Sequence, residues 1–366
     1  MTKKFLWWGV ICLVLIGVLI LVLNKKELIL NPLSDKRVLL QAQDKLETFG
    51  FLPTYMIGKT RVYGEEVDNL IFLGIEVDGT GNLIWETQAK KINNQNFLEQ
   101  KKKIKESGGK NILGIKLFKD EDLDKLLENK TNRENLVKQV KQLKVEDNFD
   151  GVNIDFEYQG NPVAILSQSF LDFLDQLKLA GVGKVNVDVF ANTIIKGDQE
   201  KLKALMNKVD NLIVMAYDFH RPGVDYVGPV APIGSPVGER NITEIIEKIL
   251  SVGLDKNKIV MAYPLYGYEW KTYTQDFGSQ IQRGWYLMAS WNRTKELIKE
   301  KNLEVKWDEV SMSPWVFFRE GGVIHQIYYE NERSLKAKID LVRQNKLGGY
   351  GFWALGYEGE DKSVWY

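Results

Sequence analysis

Asn153, Asp155 and Glu157 occupy alternate positions in the segment Phe149-Asp150-Gly151-Val152-Asn153-Ile154-Asp155-Phe156-Glu157-Tyr158. In an extended strand alternate side chains face the same way, so these three polar groups share one face. Val152, Ile154 and Phe156 share the other, which is wholly apolar. Two carboxyls side by side on one strand are costly to bury unless they are hydrogen-bonded or share a proton. Acid–base chemistry makes use of such a pair, because a carboxyl kept protonated by its neighbour can deliver that proton to a leaving group. The alternative, an edge strand with a wetted polar face, fits less well with the bracketing glycines and aromatics and the crowding of acids at the strand's end.

The stretch Asp150-Gly151-Val152-Asn153-Ile154-Asp155-Phe156-Glu157 resembles the fourth-strand signature DGxDxDxE of glycoside hydrolase family 18. The second Asp of that signature is Asn153 here. The family includes chitinases, endo-N-acetylglucosaminidases and peptidoglycan-cleaving relatives. The resemblance implies a (β/α)8 barrel and hydrolysis assisted by the substrate's own acetamide.

The elements that would position these groups alternate along the chain. Strands are expected at Leu52–Ile57, Val67–Val77, Asn111–Phe118, Asp150–Glu157, Lys184–Phe190, Asn211–Tyr217, Lys258–Tyr266 and Gly349–Leu355. Helical spacing appears between them. Thr131 and Glu134 have capping-box spacing, with Leu136, Val140 and Leu143 on one face. Asn241 opens a helix that ends near Gly253, and Ser334 to Gln344 is amphipathic. Eight strands alternating with helices predict an α/β fold, a (β/α)8 TIM barrel over 51–366. The interval from about Tyr268 to Tyr329 is too long for one helix. It predicts an inserted α+β lobe between the seventh and eighth strands.

Ahead of the barrel, an unbroken apolar run extends from Phe5 to Leu23, with lysines on both sides. It matches the roughly 20 residues a helix needs to span a bilayer. No small-residue cleavage site follows it. Residues 1–26 are therefore expected to be an uncleaved signal anchor in the lipid bilayer, with the body outside the cytoplasm. Secretion after signal cleavage is the alternative. Residues 27–50 read as a stalk or entry helix.

Composition narrows the chemistry. The chain has 366 residues, with 49 basic and 49 acidic, so no nucleic-acid surface is expected. Two histidines, His220 and His325, and a single Cys12 argue against a zinc cluster or a Cys–His nucleophile. No metal and no cofactor are expected. Ten Trp and 15 Tyr supply flat faces suited to sugar rings.

Active sites of such barrels lie at the C-terminal ends of the strands. The ends Asp155-Phe156-Glu157-Tyr158, Met215-Ala216-Tyr217-Asp218, Tyr263-Pro264-Leu265-Tyr266-Gly267 and Phe352-Trp353-Ala354-Leu355-Gly356 resemble the corresponding family 18 segments in type and order. The resemblance implies Glu157 as general acid and then base, and Asp155 as the partner of the acetamide and of the cationic intermediate. It further implies Tyr217 as a donor to the acetamide carbonyl, Asp218 as a ligand of nearby hydroxyls and Trp353 as the floor under the sugar. Tyr266 either lines the cleft or packs.

Asn153 cannot take up charge, but its amide can donate a hydrogen bond to Asp155 and keep it ionised. The other reading of Asn153 is a polar layer of the barrel interior. Asp150, of opposite parity, is expected to fix the start of its strand.

The expected substrate is a β-linked N-acetylglucosamine glycan, chitin oligomers or peptidoglycan. The ending Gly351 to Glu358 resembles envelope and spore members of the family. A sugar-binding barrel without catalysis is the competing class, disfavoured by the presence of both Asp155 and Glu157. A phosphate-handling aldolase would want a strand-end lysine or a phosphate-gripping glycine loop, and neither is evident.

Overall fold

A computed structural model of the chain describes residues 46–84, 92–235 and 238–365. Fourteen strands run in chain order: β1 (Glu47–Pro53), β2 (Asn69–Val77), β3 (Leu83–Ile84), β4 (Lys110–Leu117), β5 (Gly151–Phe156), β6 (Lys184–Phe190) and β7 (Asn211–Met215). They continue as β8 (Ile259–Pro264), β9 (Tyr266–Thr272), β10 (Ile281–Ser290), β11 (Lys306–Asp308), β12 (Ser313–Glu320), β13 (Val323–Tyr328) and β14 (Gly349–Trp353). Parallel pairing runs β1-β2-β4-β5-β6-β7-β8-β14, and β14 pairs with β1 to close the barrel. β3 is a short antiparallel addition to β2.

The predicted parity of β5 holds. Its outward residues Val152, Ile154 and Phe156 join the large core between strands and helices. Phe156 meets Phe170 and Phe173 of the following helix at ring separations of 6.2 and 5.7 Å. Inward apolar residues Phe49, Phe51, Ile71, Ile112, Ile213, Val260 and Ala262 fill the barrel's interior, as close packing requires of an eight-stranded barrel.

Helices α1 (Gln95–Glu106), α2 (Asp120–Glu128), α3 (Lys130–Glu146), α4 (Gln168–Ala180), α5 (Ala191–Lys196), α6 (Gln199–Lys208), α7 (Ile242–Val252), α8 (Trp291–Lys301) and α9 (Glu332–Gln344) complete the alternation. Leu136, Val140 and Leu143 are the buried face of α3, as predicted. Its cap is Asn129, not Thr131: the Asn129 side chain accepts from the backbone of Thr131 and Asn132. α7 is capped by Asn241 and stops at Gly253 in the left-handed conformation.

The first strand is the main correction. It runs Glu47–Pro53 rather than Leu52–Ile57, so the segment read as stalk contributes Glu47 to Gly50 to the barrel. β14 pairs with Glu47 to Gly50 and β2 with Phe49 to Pro53, and Thr54–Met56 forms a 3₁₀ turn instead of extending the strand. β5 and β7 end at Phe156 and Met215, which leaves Glu157, Tyr217 and Asp218 just past the strand ends.

The predicted insertion is a five-stranded antiparallel sheet, β10-β9-β13-β12-β11, with α8 following β10. It opens at Tyr266, not Tyr268, because Tyr266 already pairs with Ser290. Gly267 permits the sheet's close approach: a Cβ there would stand 1.7 Å from the Tyr328 carbonyl oxygen.

The anchor expected at 1–26 and the rest of the stalk lie outside the described residues. Among the described residues no helix is long and apolar enough to cross a membrane.

Candidate active site

β5 is set in place at its base by Asp150. The carboxylate accepts from the Asn111 amide N–H at 2.8 Å and pairs with Lys105, as its parity suggested. Gly151 lets β5 lie against β6, since a Cβ would come within 2.4 Å of the Lys184 carbonyl oxygen. Beyond the strand's end, the Gln159 and Gly160 N–H groups donate to Asp120 at 2.8 and 3.0 Å, and the Tyr158 hydroxyl donates to Asp124 at 2.7 Å. The two acids of α2 thereby hold the loop that carries Glu157.

Asp155 is 4% exposed and Asn153 fully buried. The Asp155 and Glu157 carboxyls are hydrogen-bonded to one another. Gln159 Nε2 donates to Glu157 Oε2 at 2.6 Å. Burial pushes Asp155 well above the usual carboxylate range; the charges of Glu157 and then Asp188 add to this, and Lys116 opposes it. Burial also raises Glu157, while the hydrogen bonds from Asp155 and Gln159 pull it down. Such a pair holds a proton at a pH where an exposed carboxyl has lost it.

Asn153 does not bond Asp155. Its Nδ2 donates to Asp188 Oδ2 at 2.6 Å. The reason lies in the register: Asn153 is paired with Asn186, which sets Asp188 on the same interior face of the neighbouring strand. The polar layer of the interior is thus real, with Asn186 itself accepting from Asn211 at 3.1 Å.

Tyr217 and Trp353 pack at the upper edge of the interior apolar cluster. Burial and the charges of Asp155, Glu157, Asp218 and Asp188 raise the Tyr217 hydroxyl well above its ordinary value, so it stays a neutral donor. Asp218, at φ +60°, accepts from the Tyr266 hydroxyl at 2.6 Å and the Tyr268 hydroxyl at 3.2 Å. Tyr266 therefore both lines the cleft and holds Asp218. Trp353 stands 5.9 Å from Phe51, ring to ring.

All seven predicted site residues except Asn153 line one cavity of ≈ 550 Å³, and Asn153 sits behind it through Asp188. The cavity also receives Asp188, Gln159, Lys116, Arg221 and Arg240, which the reading of the sequence did not single out. Asp188 had a visible signal. Lys184-Val185-Asn186-Val187-Asp188-Val189-Phe190 repeats the polar alternation of Asn153, Asp155 and Glu157. Lys116 carries the same clue in Gly114-Ile115-Lys116, and it pairs with Glu76 at 2.8 Å.

Chemically, the site offers a pair of adjacent carboxyls that burial makes harder to ionise, and a neutral hydroxyl donor in the same cavity. The indole of Trp353 adds an aromatic surface to the lining. This set suits proton delivery to a leaving oxygen next to a polarised amide.

The family model described as "Glycosyl hydrolases family 18" matches residues 48–358. A Bacillus subtilis protein provisionally described as a sporulation-specific glycosylase, YdhD, is 30% identical over 248 residues, covering 65% of this chain and 54% of that protein. The chain thus spans about half the length of that relative. Among solved structures, the Bacillus cereus spore cortex-lytic enzyme SleL aligns with a TM-score of 0.68 at 19% identity, over 86% of this chain and 72% of that one. A Cycas revoluta family 18 chitinase in complex with (GlcNAc)3 aligns with a TM-score of 0.74 at 20% identity, over 86% and 96%. At these identities the two structures speak for the fold.

Proposed function

The chain belongs to glycosyl hydrolase family 18, and on that premise we propose that it is a glycosidase that cleaves β-linked, N-acetylglucosamine-containing glycans with retention of configuration. The observation that carries this reading is the hydrogen-bonded Asp155–Glu157 pair in one cavity with Tyr217 and Trp353.

In this reading Glu157 protonates the glycosidic oxygen, and the acetamide oxygen of the sugar at the cleavage point attacks its own anomeric carbon. Tyr217 donates to that acetamide oxygen. Asp155, ionised at this moment, accepts the acetamide N–H and balances the oxazolinium charge. Glu157, now a carboxylate, takes a proton from the water that opens the ring. Asp218, held by Tyr266 and Tyr268, receives sugar hydroxyls near the acetamide.

Among such glycans we favour peptidoglycan. The named roles of the sporulation-specific glycosylase and the spore cortex-lytic enzyme support it, and the chitinase complex supports N-acetylglucosamine oligomers as the second substrate class. The apolar run from Phe5 to Leu23 supports a single-pass membrane anchor with the barrel on the extracytoplasmic side.

The test is product analysis by mass spectrometry after incubating the full chain with purified peptidoglycan and, separately, with chitin oligomers. Release of fragments with a new N-acetylhexosamine reducing end is expected. Binding of both glycans without any cleavage would make the chain a sugar-binding barrel instead.

A further inference from the structure

Asp188 is a third buried carboxyl of the site, 3% exposed and part of the cavity's lining. Along the β5–β6 ladder the last paired residues are Ile154 and Val187, and the next residue on each strand is Asp155 and Asp188. Neighbouring strands lie about 4.8 Å apart, so these acids share one layer of the barrel interior. On the other side of Asp155 that layer holds Lys116, and on the other side of Asp188 it holds Ile213.

The donors in the cluster distinguish the three acids. Asp188 Oδ2 receives the Asn153 amide, and Glu157 Oε2 receives the Gln159 amide. Asp155 bonds Glu157, and its Oδ1 is buried without a partner, as is Asp188 Oδ1. Amide donors favour the charged form of the carboxyl they meet. Burial and the Glu157 charge push Asp188 upward, and the Asn153 amide opposes them; with an amide donor on each, Asp188 and Glu157 are the anions and Asp155 holds the proton, donating it to Glu157.

Resting on the functional reading above, we propose that Asp188 is a positioning residue for the reaction: anchored by Asn153, its negative charge keeps the catalytic proton within the Asp155–Glu157 pair. When the acetamide N–H docks on Asp155, the proton leaves Asp155 for the Glu157 oxygen it already bonds. Charge is conserved within the pair, and Glu157 becomes the acid. Without the Asp188 charge the pair would release this proton to solvent at lower pH. Other ionisable groups of the same cavity are Lys116 from β4, Tyr217 and Asp218 beyond β7, Arg221 in the same loop, Arg240 and Tyr266; Lys116 and Arg221 act in the opposite sense.

The test is the pH profile of kcat/KM for the full chain carrying Asp188→Asn. The basic limb is expected to move down by about one pH unit, so that the ratio of acidic to alkaline kcat/KM rises roughly tenfold. Asn153→Leu, which withdraws the amide while keeping Asp188, should move the limb in the same direction and carries the test if Asp188→Asn fails to fold. Uniform loss at every pH, or a basic limb that neither variant moves, would overturn the proposal. Failure of the unmodified chain to cleave either glycan overturns instead the functional reading beneath it.

Discussion

Asn153 gives its amide hydrogen to Asp188 on the adjacent strand, 2.6 Å away, and not to Asp155 on its own strand. Residues at i and i+2 of a strand point the same way but stand about 7 Å apart. Asp188 lies two residues past Asn186, the ladder partner of Asn153, and its carboxylate meets the Asn153 amide across the two strands. The substitution of Asn for the usual Asp therefore ties β5 to β6 and leaves Asp155 to pair with Glu157.

From this pairing follows the first prediction. Glu157→Gln keeps the shape of the side chain and its contact with Gln159 but removes the proton donor. Turnover on a cleaved glycan should fall about 10²–10⁴-fold, with thermal unfolding and glycan binding retained. Undiminished hydrolysis by this variant would remove Glu157 from its role.

Stability and activity should pull in opposite directions at Asp155. Its folded-state pKa is raised by burial and by neighbouring acids, above the value it has unfolded. Its contribution to stability is therefore fully present below the ordinary Asp value and is lost as pH rises through the raised one. Asp155→Asn does not titrate. Its melting temperature relative to wild type should climb as pH rises from the ordinary Asp range through the raised one, while its activity is severely reduced. A difference in Tm that stays flat with pH would contradict the assigned shift.

The parity of β5 was legible because a period of two is a local property, and Asp155 and Glu157, the latter just past the strand's end, do line one cavity. Asp188 was harder to reach, since its meaning depends on which strand neighbours β5 and in what register. The start of β1 was misjudged for a related reason. Glu47 to Gly50 is extended because β14 pairs with it, and β2 with Phe49 and Gly50, a long-range effect with a weak local trace. The α3 cap shows the limit at short range: Asn129 and Thr131 are both competent caps, and the preceding helix α2 ending at Glu128 selects the first.

Away from the cavity, Lys338 and Glu330 form an ion pair of 2.7 Å with side chains 0% and 1% exposed. Ser334 donates to the same Glu330 oxygen at 2.6 Å. Replacing Lys338 with Met leaves the carboxylate buried without its cation and should cost about 3–5 kcal/mol. Adding Glu330→Gln should recover much of that, because the stranded charge disappears. Denaturant titration of the two variants would decide it, and equal destabilisation of single and double variants would refute the account.

The nucleophile itself can be tested with a cyclic thiazoline that copies the oxazolinium intermediate. If the acetamide attacks, this compound should inhibit competitively and bind more tightly than substrate, since the site is complementary to that species. Tyr217 is the neutral donor held over the cavity, and its hydroxyl stays protonated because burial and four surrounding acids oppose its ionisation. Tyr217→Phe should therefore weaken thiazoline binding by about tenfold, the loss of roughly one to two kcal/mol expected for a buried hydrogen bond, and Asp155→Asn should weaken it further. A substrate lacking the N-acetyl group at the cleavage point should not be cut, and the product should keep the anomeric configuration. Cleavage of the deacetylated substrate, or an inverted product, would require an external nucleophile, and the pairing of Asp155 with Glu157 would then need another purpose.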